Sequence, residues 1–360
     1  MKAADACLVC AAVLLLRCSM PSARAEAQAP AEEQGPLFPV AQDGKWGYMD
    51  RAGKVVITPQ FHGVRRFAEG LGRVQVDNRW GYIDRTGSIV IKVQFDLASD
   101  FSEGLAAVHV GGKPTKGGGY EGGQWGYIDK TGKMVIKAEF SLAEEFAEGV
   151  AAVGRIGRAR RGFSWTTSYI DKTGKPAFKS SFTMTWAFSE GLAAVGVGSF
   201  GNTKWGYVDR TGKMVIASEF EEARAFAEGL ALVKVGGKWG AIDKTGKMVI
   251  NPQFQGALAF SEGLAAVKTG ERETDKWGYA DKTGAMVIQP QFDGAGGFSE
   301  GLAPVKVFDK WGYADKTGNV VTKPQFDDAE GFSGGLAAVR VGGKSGYIDH
   351  SGGYVWQPQE

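Results

Sequence analysis

The 360-residue chain is poor in the residues that most often do chemistry. It has three cysteines, and all of them (Cys7, Cys10, Cys18) fall within the first 18 residues. It has three histidines (His62, His109, His350), far apart in the sequence and at unrelated positions in the repeat described below. This disfavours a zinc or iron–sulfur protein and any mechanism needing clustered imidazoles. The 54 glycines show no three-residue period, so the chain is not collagen. No nucleophile elbow, HExxH, Walker or dinucleotide motif appears. The longest apolar run is Ala6 to Leu16, 11 residues, against the ~20 needed to span a bilayer.

That run has the features of a secretory signal peptide. Lys2 supplies a positive start, Arg17 ends the run, and Ala23-Arg24-Ala25 offers a small-x-small cleavage site before Glu26. A lipoprotein is disfavoured because Arg17, not a small residue, precedes Cys18. The expected organisation is residues 1–25 as signal peptide, 26–36 (EAQAPAEEQGP) as a flexible linker, and 37–358 as the folded part. Cleavage removes Lys2, Arg17, Arg24 and Asp5, so 42 basic residues less three and 40 acidic less one leave 39 of each sign. The full chain's slight positive charge therefore implies nothing about nucleic acid. The mature chain would hold no thiol and no disulfide, which suits a secreted or periplasmic protein.

What the chain has in abundance is repetition. The string Lys-Trp-Gly-Tyr-Ile-Asp-Lys-Thr-Gly-Lys-Met-Val-Ile recurs. Its aspartates (Asp50, Asp84, Asp129, Asp171, Asp209, Asp243, Asp281, Asp315 and Asp349) lie 34, 45, 42, 38, 34, 38, 34 and 34 residues apart. Three residues after each comes glycine. Phenylalanines follow at 11 and 17, glycine at 20 and valine at 24 in each of the first eight copies. All length variation lies in one turn, between that valine and the next Trp-Gly. An invariant frame with one variable turn is how a core and a loop behave.

The local chemistry is β. Trp-Gly-Tyr-Ile-Asp has strand character, Asp-Lys-Thr-Gly is a hairpin turn, and Lys-Met-Val-Ile is the return strand. Leu-Ala-Ala-Val-Lys-Val is a third strand, and Phe-x-x-Ala-x-x-Phe-Ser-Glu-Gly reads as a connector with the spacing of a helical turn. The predicted fold is all-β: nine three-stranded meanders in an open superhelical, solenoid-like stack. Whole units at both ends, and a count above the eight blades usual for a propeller, favour this over the alternative, a closed propeller-like toroid.

The motifs Lys45-Trp46-Gly47-Tyr48, Arg79-Trp80-Gly81-Tyr82, Trp125-Gly126-Tyr127, Lys204-Trp205-Gly206-Tyr207, Lys238-Trp239-Gly240, Lys276-Trp277-Gly278-Tyr279 and Lys310-Trp311-Gly312-Tyr313 resemble the WG (KWG) repeat family of bacterial proteins. Two copies depart, with Ser168-Tyr169 and Ser345-Gly346 in place of Trp-Gly. The resemblance implies an all-β repeat architecture, often on secreted or envelope proteins, and implies no reaction.

Residues present in every copy, the nine aspartates and the Trp series, are read as architectural, and so is the glutamate before glycine (Glu69 to Glu300). Function is sought where copies differ. The turn at 154–165 holds Arg155, Arg158, Arg160 and Arg161 with Phe163 and Trp165, a set suited to gripping phosphate, sulfate or uronate groups; a solvated basic loop is the plainer reading. The same repeat has lost Trp-Gly and gained Trp186. The Gly-rich turn at 111–124 carries Tyr120. The expected function is a non-enzymatic, cofactor-free binding scaffold presenting its variable turns to a protein partner, with an envelope polysaccharide as the alternative ligand, and with neither nucleic acid nor a stable membrane span.

Overall fold

A computed structural model describes residues 35–116, 119–158, 163–199, 201–270 and 275–359. The expected signal peptide and most of the expected linker lie outside these residues. Among the described residues no helix is long and apolar enough to cross a membrane.

The chain builds nine antiparallel sheets, spanning 38–61, 63–95, 97–140, 142–171, 184–220, 222–254, 256–292, 294–326 and 328–359. The third is representative. Its strands are Leu97–Ala98, Leu105–Pro114, Tyr120–Asp129 and Met134–Phe140, paired in that order across the sheet. Seven sheets have four strands, and the first and fourth have three. The expected three-stranded meander is thus corrected. The connector is no helical turn: its alanine pairs with the valine of the next strand, Ala98 with Val108, and adds a two-residue first strand. A two-residue strand is too short to show the period of two by which strands are recognised.

The Trp-Gly pair has a backbone reason. The third and fourth strands pair through a register shift, Trp125 opposite Phe140 but Tyr127 opposite Ile136. This brings the fourth strand onto Gly126, where a Cβ would lie 2.6 Å from the Ile136 carbonyl oxygen. Only glycine permits the approach. In the fourth sheet the register puts Thr167 and Ser168, rather than the expected Ser168 and Tyr169, at the Trp-Gly positions, since Thr167 bridges Phe182 as Trp125 pairs with Phe140. There the regular fourth strand is lost, leaving only the bridges Thr167 to Phe182 and Ile170 to Pro176.

Core layers lie between sheets rather than within them. Trp205, Tyr207, Ile216 and Phe220 of the fifth pack with Ala223, Phe226, Val233 and Ile242 of the sixth. The repeat tyrosines from Tyr48 to Tyr313 are buried and donate their hydroxyls to a carbonyl of the next sheet, Tyr127 to Glu144 at 2.8 Å and Tyr279 to Gly296 at 2.9 Å. A unit therefore has no complete core without its neighbours.

The open stack is overturned by the contact between the ends. Phe38, Val40 and Met49 of the first sheet share one core cluster with Leu336 and Tyr347 of the ninth, and the Phe38 and Tyr347 rings lie 5.6 Å apart, edge to face. The array is a closed nine-bladed β-propeller, the reading first held as the alternative. Arg66 of blade two reaches Glu330 of blade nine at 3.3 Å, past blade one, so these connectors sit on the inner side of the ring. No sheet combines strands from both termini, so side-chain packing and this ion pair, not shared strand pairing, close the seam.

Candidate functional site

The repeated carboxylates are consumed by architecture. Asp281 Oδ1 accepts the backbone N–H groups of Thr283 and Ala285 at 2.8 and 3.1 Å and the Thr283 hydroxyl at 2.6 Å. The hydroxyl bond is the main cause holding this carboxyl below the usual carboxylate range. The other eight aspartates accept the same pair of turn N–H bonds; Asp50, for instance, takes those of Ala52 and Lys54.

The glutamates form an inter-blade ladder. Glu228 of blade six accepts the Gly263 N–H of blade seven at 2.9 Å and pairs with Lys282 at 3.0 Å. The same arrangement links Glu69 to Gly104 and Lys130, and Glu300 to Gly335 and His350. Each of these glutamates has a left-handed φ of 51–54°. For Glu228, burial raises the carboxyl pKa, but the bonds from Lys282 and Gly263 outweigh it and hold the group low. The series ends at Gly334, where a Cβ would lie 2.6 Å from Pro36 Cγ: the N-terminal segment occupies the space.

A second internal device went unnoticed in the sequence. Twelve residues after seven of the nine motif aspartates, among the described residues, lies a side chain that holds the variable turn. Asp293 accepts the Phe308 N–H at 2.8 Å and pairs with Lys276; Asp327 accepts the Gly342 N–H at 2.6 Å and pairs with Lys310 at 2.5 Å. In blade three it is Asp96, fully buried, which accepts the Gly112 N–H at 2.6 Å and meets Arg79 and the His109 ring, the latter at 3.2 Å. The phase of 12 is visible in the sequence, but the residue type varies among His62, Asp96, Ser141, Thr183 and Glu221, which hides it.

The predicted site residues do not come together as one group. Tyr120 donates its hydroxyl to the Asn78 carbonyl at 2.6 Å, and Arg79 stacks over its ring at 5.9 Å, so it braces the long hairpin of blade three against blade two. Arg155 pairs with Glu139 at 2.8 Å and stacks over Phe140 at 4.4 Å. It lies opposite Thr166, on the other face of the hairpin from Trp165 and Thr167. Arg158 and Phe163 are the terminal pair of that hairpin, and Arg160 and Arg161 lie outside the described residues.

Trp165 does enter a site. Between blades four and five lies a cavity of about 330 Å³, lined by Trp165, Trp186 and Trp205 with Leu142, Met184, Glu144, Thr167 and Thr185 among others. Its origin is the departure of this repeat from the pattern. Thr167 stands where seven of the other eight blades place the motif tryptophan, which leaves room. The indole of Trp165 covers Gly154, at which a Cβ would lie 2.7 Å from the ring. Trp186, 46% exposed, faces Trp205 with ring centroids 6.4 Å apart. A second cavity of about 380 Å³ adjoins the first, sharing Glu144 and Ala187 and adding Glu145, Trp125, Ser99 and Ser102. Concave, mostly apolar walls with a few polar groups are the usual form of a ligand site. Among the described residues no cluster of three or more His, Cys, Asp or Glu is placed to hold a metal.

Comparison with known proteins agrees with this architecture. No curated protein matches the chain. Among solved structures, one described as a eukaryotic initiation factor aligns over 89% of this chain and 94% of that one, with 11% identity and a TM-score of 0.58, a likeness of fold alone. The β-propeller domain of the Trilobed protease from Pyrococcus furiosus aligns over 74% of this chain and all of that one, at 9% identity and a TM-score of 0.42. The WG containing repeat matches residues 46–80, 80–113, 125–154, 168–199, 205–239, 239–272, 277–311 and 311–344. With most of the array matched in phase, the chain belongs to the WG-repeat family.

Proposed function

We propose that the chain is a non-enzymatic, cofactor-free binding scaffold, secreted or periplasmic, that engages a protein partner, with the aromatic pocket between blades four and five as the contact. The observation that carries this reading is the coincidence of the cavity with the break in the repeat. Eight blades keep the Trp position or a regular fourth strand; blade four gives up both, and the space it vacates is walled by Trp165 and Trp186, at positions where no other copy carries a tryptophan. Architecture does not account for Trp186, a large indole left 46% exposed.

The alternative ligand, an envelope polysaccharide, is favoured by the same indoles, since sugar rings stack on tryptophan. The test compares capture from periplasmic extract by the native chain, by Trp186→Ala and by a chain lacking residues 155–163. Loss of capture with Trp186→Ala, at unchanged circular dichroism, supports the pocket. Capture lost only with the deletion moves the contact to the basic turn. Binding to purified peptidoglycan or an anionic polysaccharide in place of any protein replaces the partner class.

A further inference from the structure

The ring carries its own template for what lies on these indoles. In blade two, Arg65, fifteen residues after the motif aspartate, stacks on Trp80 at 6.0 Å, and Arg73 covers the same ring at 4.9 Å. In blade six, Arg224, at the equivalent position, stacks on Trp239 at 5.3 Å, and Lys234 adds a second cation at 5.8 Å. These indoles are thus capped by the chain's own guanidinium and ammonium groups. In blade five the position holds Trp186, and in blade four it holds Glu144. Among the described residues no cation stacks on Trp165, Trp186 or Trp205, and none pairs with Glu144 or Glu145.

The pocket's charge points the same way. Glu144 is the one ionisable residue in its lining, and the adjoining cavity adds Glu145 and no basic residue. Burial, and after it the neighbouring Asp100, raises the Glu145 carboxyl above its usual range, although the Asp100 backbone N–H and Arg73, which pairs with Asp100 at 3.2 Å, act the other way. Indole faces are negative at the centre and attract cations, most strongly where water is excluded.

Resting on the reading of this pocket as the contact site, we propose that it takes a lysine or arginine side chain from an extended basic segment of a protein partner. The alkyl stem lies among Trp165, Trp186, Leu142 and Met184, and the head group meets Glu144. The adjoining cavity, with Glu145 and Trp125, receives the next basic residue. An apolar stem with a charged head fits a pocket that is apolar in its walls and acidic at its edge.

The test titrates the full chain with a fluorescein-labelled peptide alternating Gly with Lys and Arg, with its Glu counterpart, and with a neutral chitin oligosaccharide and an oligogalacturonate. The basic peptide binds. Glu144→Gln, which keeps the shape, weakens it about tenfold, as does raising salt. Thr167→Trp, which restores the repeat residue and fills the cavity, removes binding, and Glu139→Gln, on the outer strand of blade three, leaves it unchanged. Equal affinity for the Glu peptide, or Glu144→Gln binding like the native chain, overturns the proposal. A saccharide that binds in a Trp186-dependent way while the basic peptide does not overturns the cationic ligand but keeps the pocket. Partner capture that neither Trp186→Ala nor Thr167→Trp disturbs sinks the pocket itself.

Discussion

Replacing Glu228 separates two contributions of the inter-blade ladder. Its φ of 52° places a residue with a Cβ in the left-handed region, at a cost of about 1–2 kcal/mol. Against this stand the hydrogen bond to the Gly263 N–H at 2.9 Å and the ion pair with Lys282 at 3.0 Å. A hydrogen bond to a charged group contributes about 1.5–3 kcal/mol when buried. With the side chains of Glu228 and Lys282 32% and 44% exposed, the bond and the pair together are held to about 1–2 kcal/mol. Glu228→Ala keeps the strain and loses the bonds, so it destabilises by about 1–2 kcal/mol. Glu228→Gly loses the bonds but relieves the strain. Glycine's greater freedom in the unfolded chain offsets part of that relief, so it recovers about 0.5–1 kcal/mol relative to alanine. Urea unfolding followed by tryptophan fluorescence reads both, and hydrogen exchange at the Gly263 amide reports the lost bond directly. If Glu228→Gly unfolds at higher urea than the native chain, the glutamate does nothing but form the turn, and the ladder contributes no cohesion between blades.

The pH dependence follows from the same groups. The carboxyls of Glu69, Glu103, Glu190, Glu228 and Glu262 are held below their ordinary value, as are those of eight motif aspartates including Asp281 and Asp315. Groups whose folded pKa is depressed contribute stability above their unfolded pKa and lose it as pH falls through the folded value. Thermal melts should therefore be flat near neutrality and fall steeply below about pH 4; a melting temperature unchanged down to pH 2.5 would contradict the assignment. Tyr279→Phe strands the Gly296 carbonyl at the interface of blades seven and eight, and should cost about 1–1.5 kcal/mol in urea unfolding with no change in far-ultraviolet circular dichroism. Gly334→Glu, which drives a side chain into Pro36 and against the Phe38 ring, should destabilise by about 1–3 kcal/mol in urea unfolding, and a chain beginning at Leu37, which keeps the buried leucine and removes Pro36, should show a smaller loss. If the chain is exported as proposed, N-terminal sequencing of the exported protein should begin at Glu26; an exported protein that starts at Met1 would refute the cleavage.

The repeat was legible because the same residues had to solve the same backbone problem in each blade. The Asp-to-Gly turn, the Trp-Gly approach and the two phenylalanines all recur at fixed phase, so their positions could be read without coordinates. Closure was not legible in that way. It depends on the tilt between successive blades, which no single unit displays, and the whole units at either end suggested an open array. Yet the seam left marks in particular residues. Gly334 breaks a series of seven glutamates because Pro36 packs onto it, and Arg66 and Glu330 carry opposite charges 264 positions apart because blade one lacks a connector to separate them. The candidate site followed the same rule. The basic turn attracted attention by composition, but Arg155 turns to Glu139, away from the pocket. Of that turn, Trp165 reaches the cavity, and its partners Trp186 and Trp205 come from the next blade, 21 and 40 positions on. What decides the site is a subtraction: threonine where the repeat demands tryptophan. A subtraction in one blade acquires chemical meaning only when the neighbouring blade shows which side chains face the vacancy.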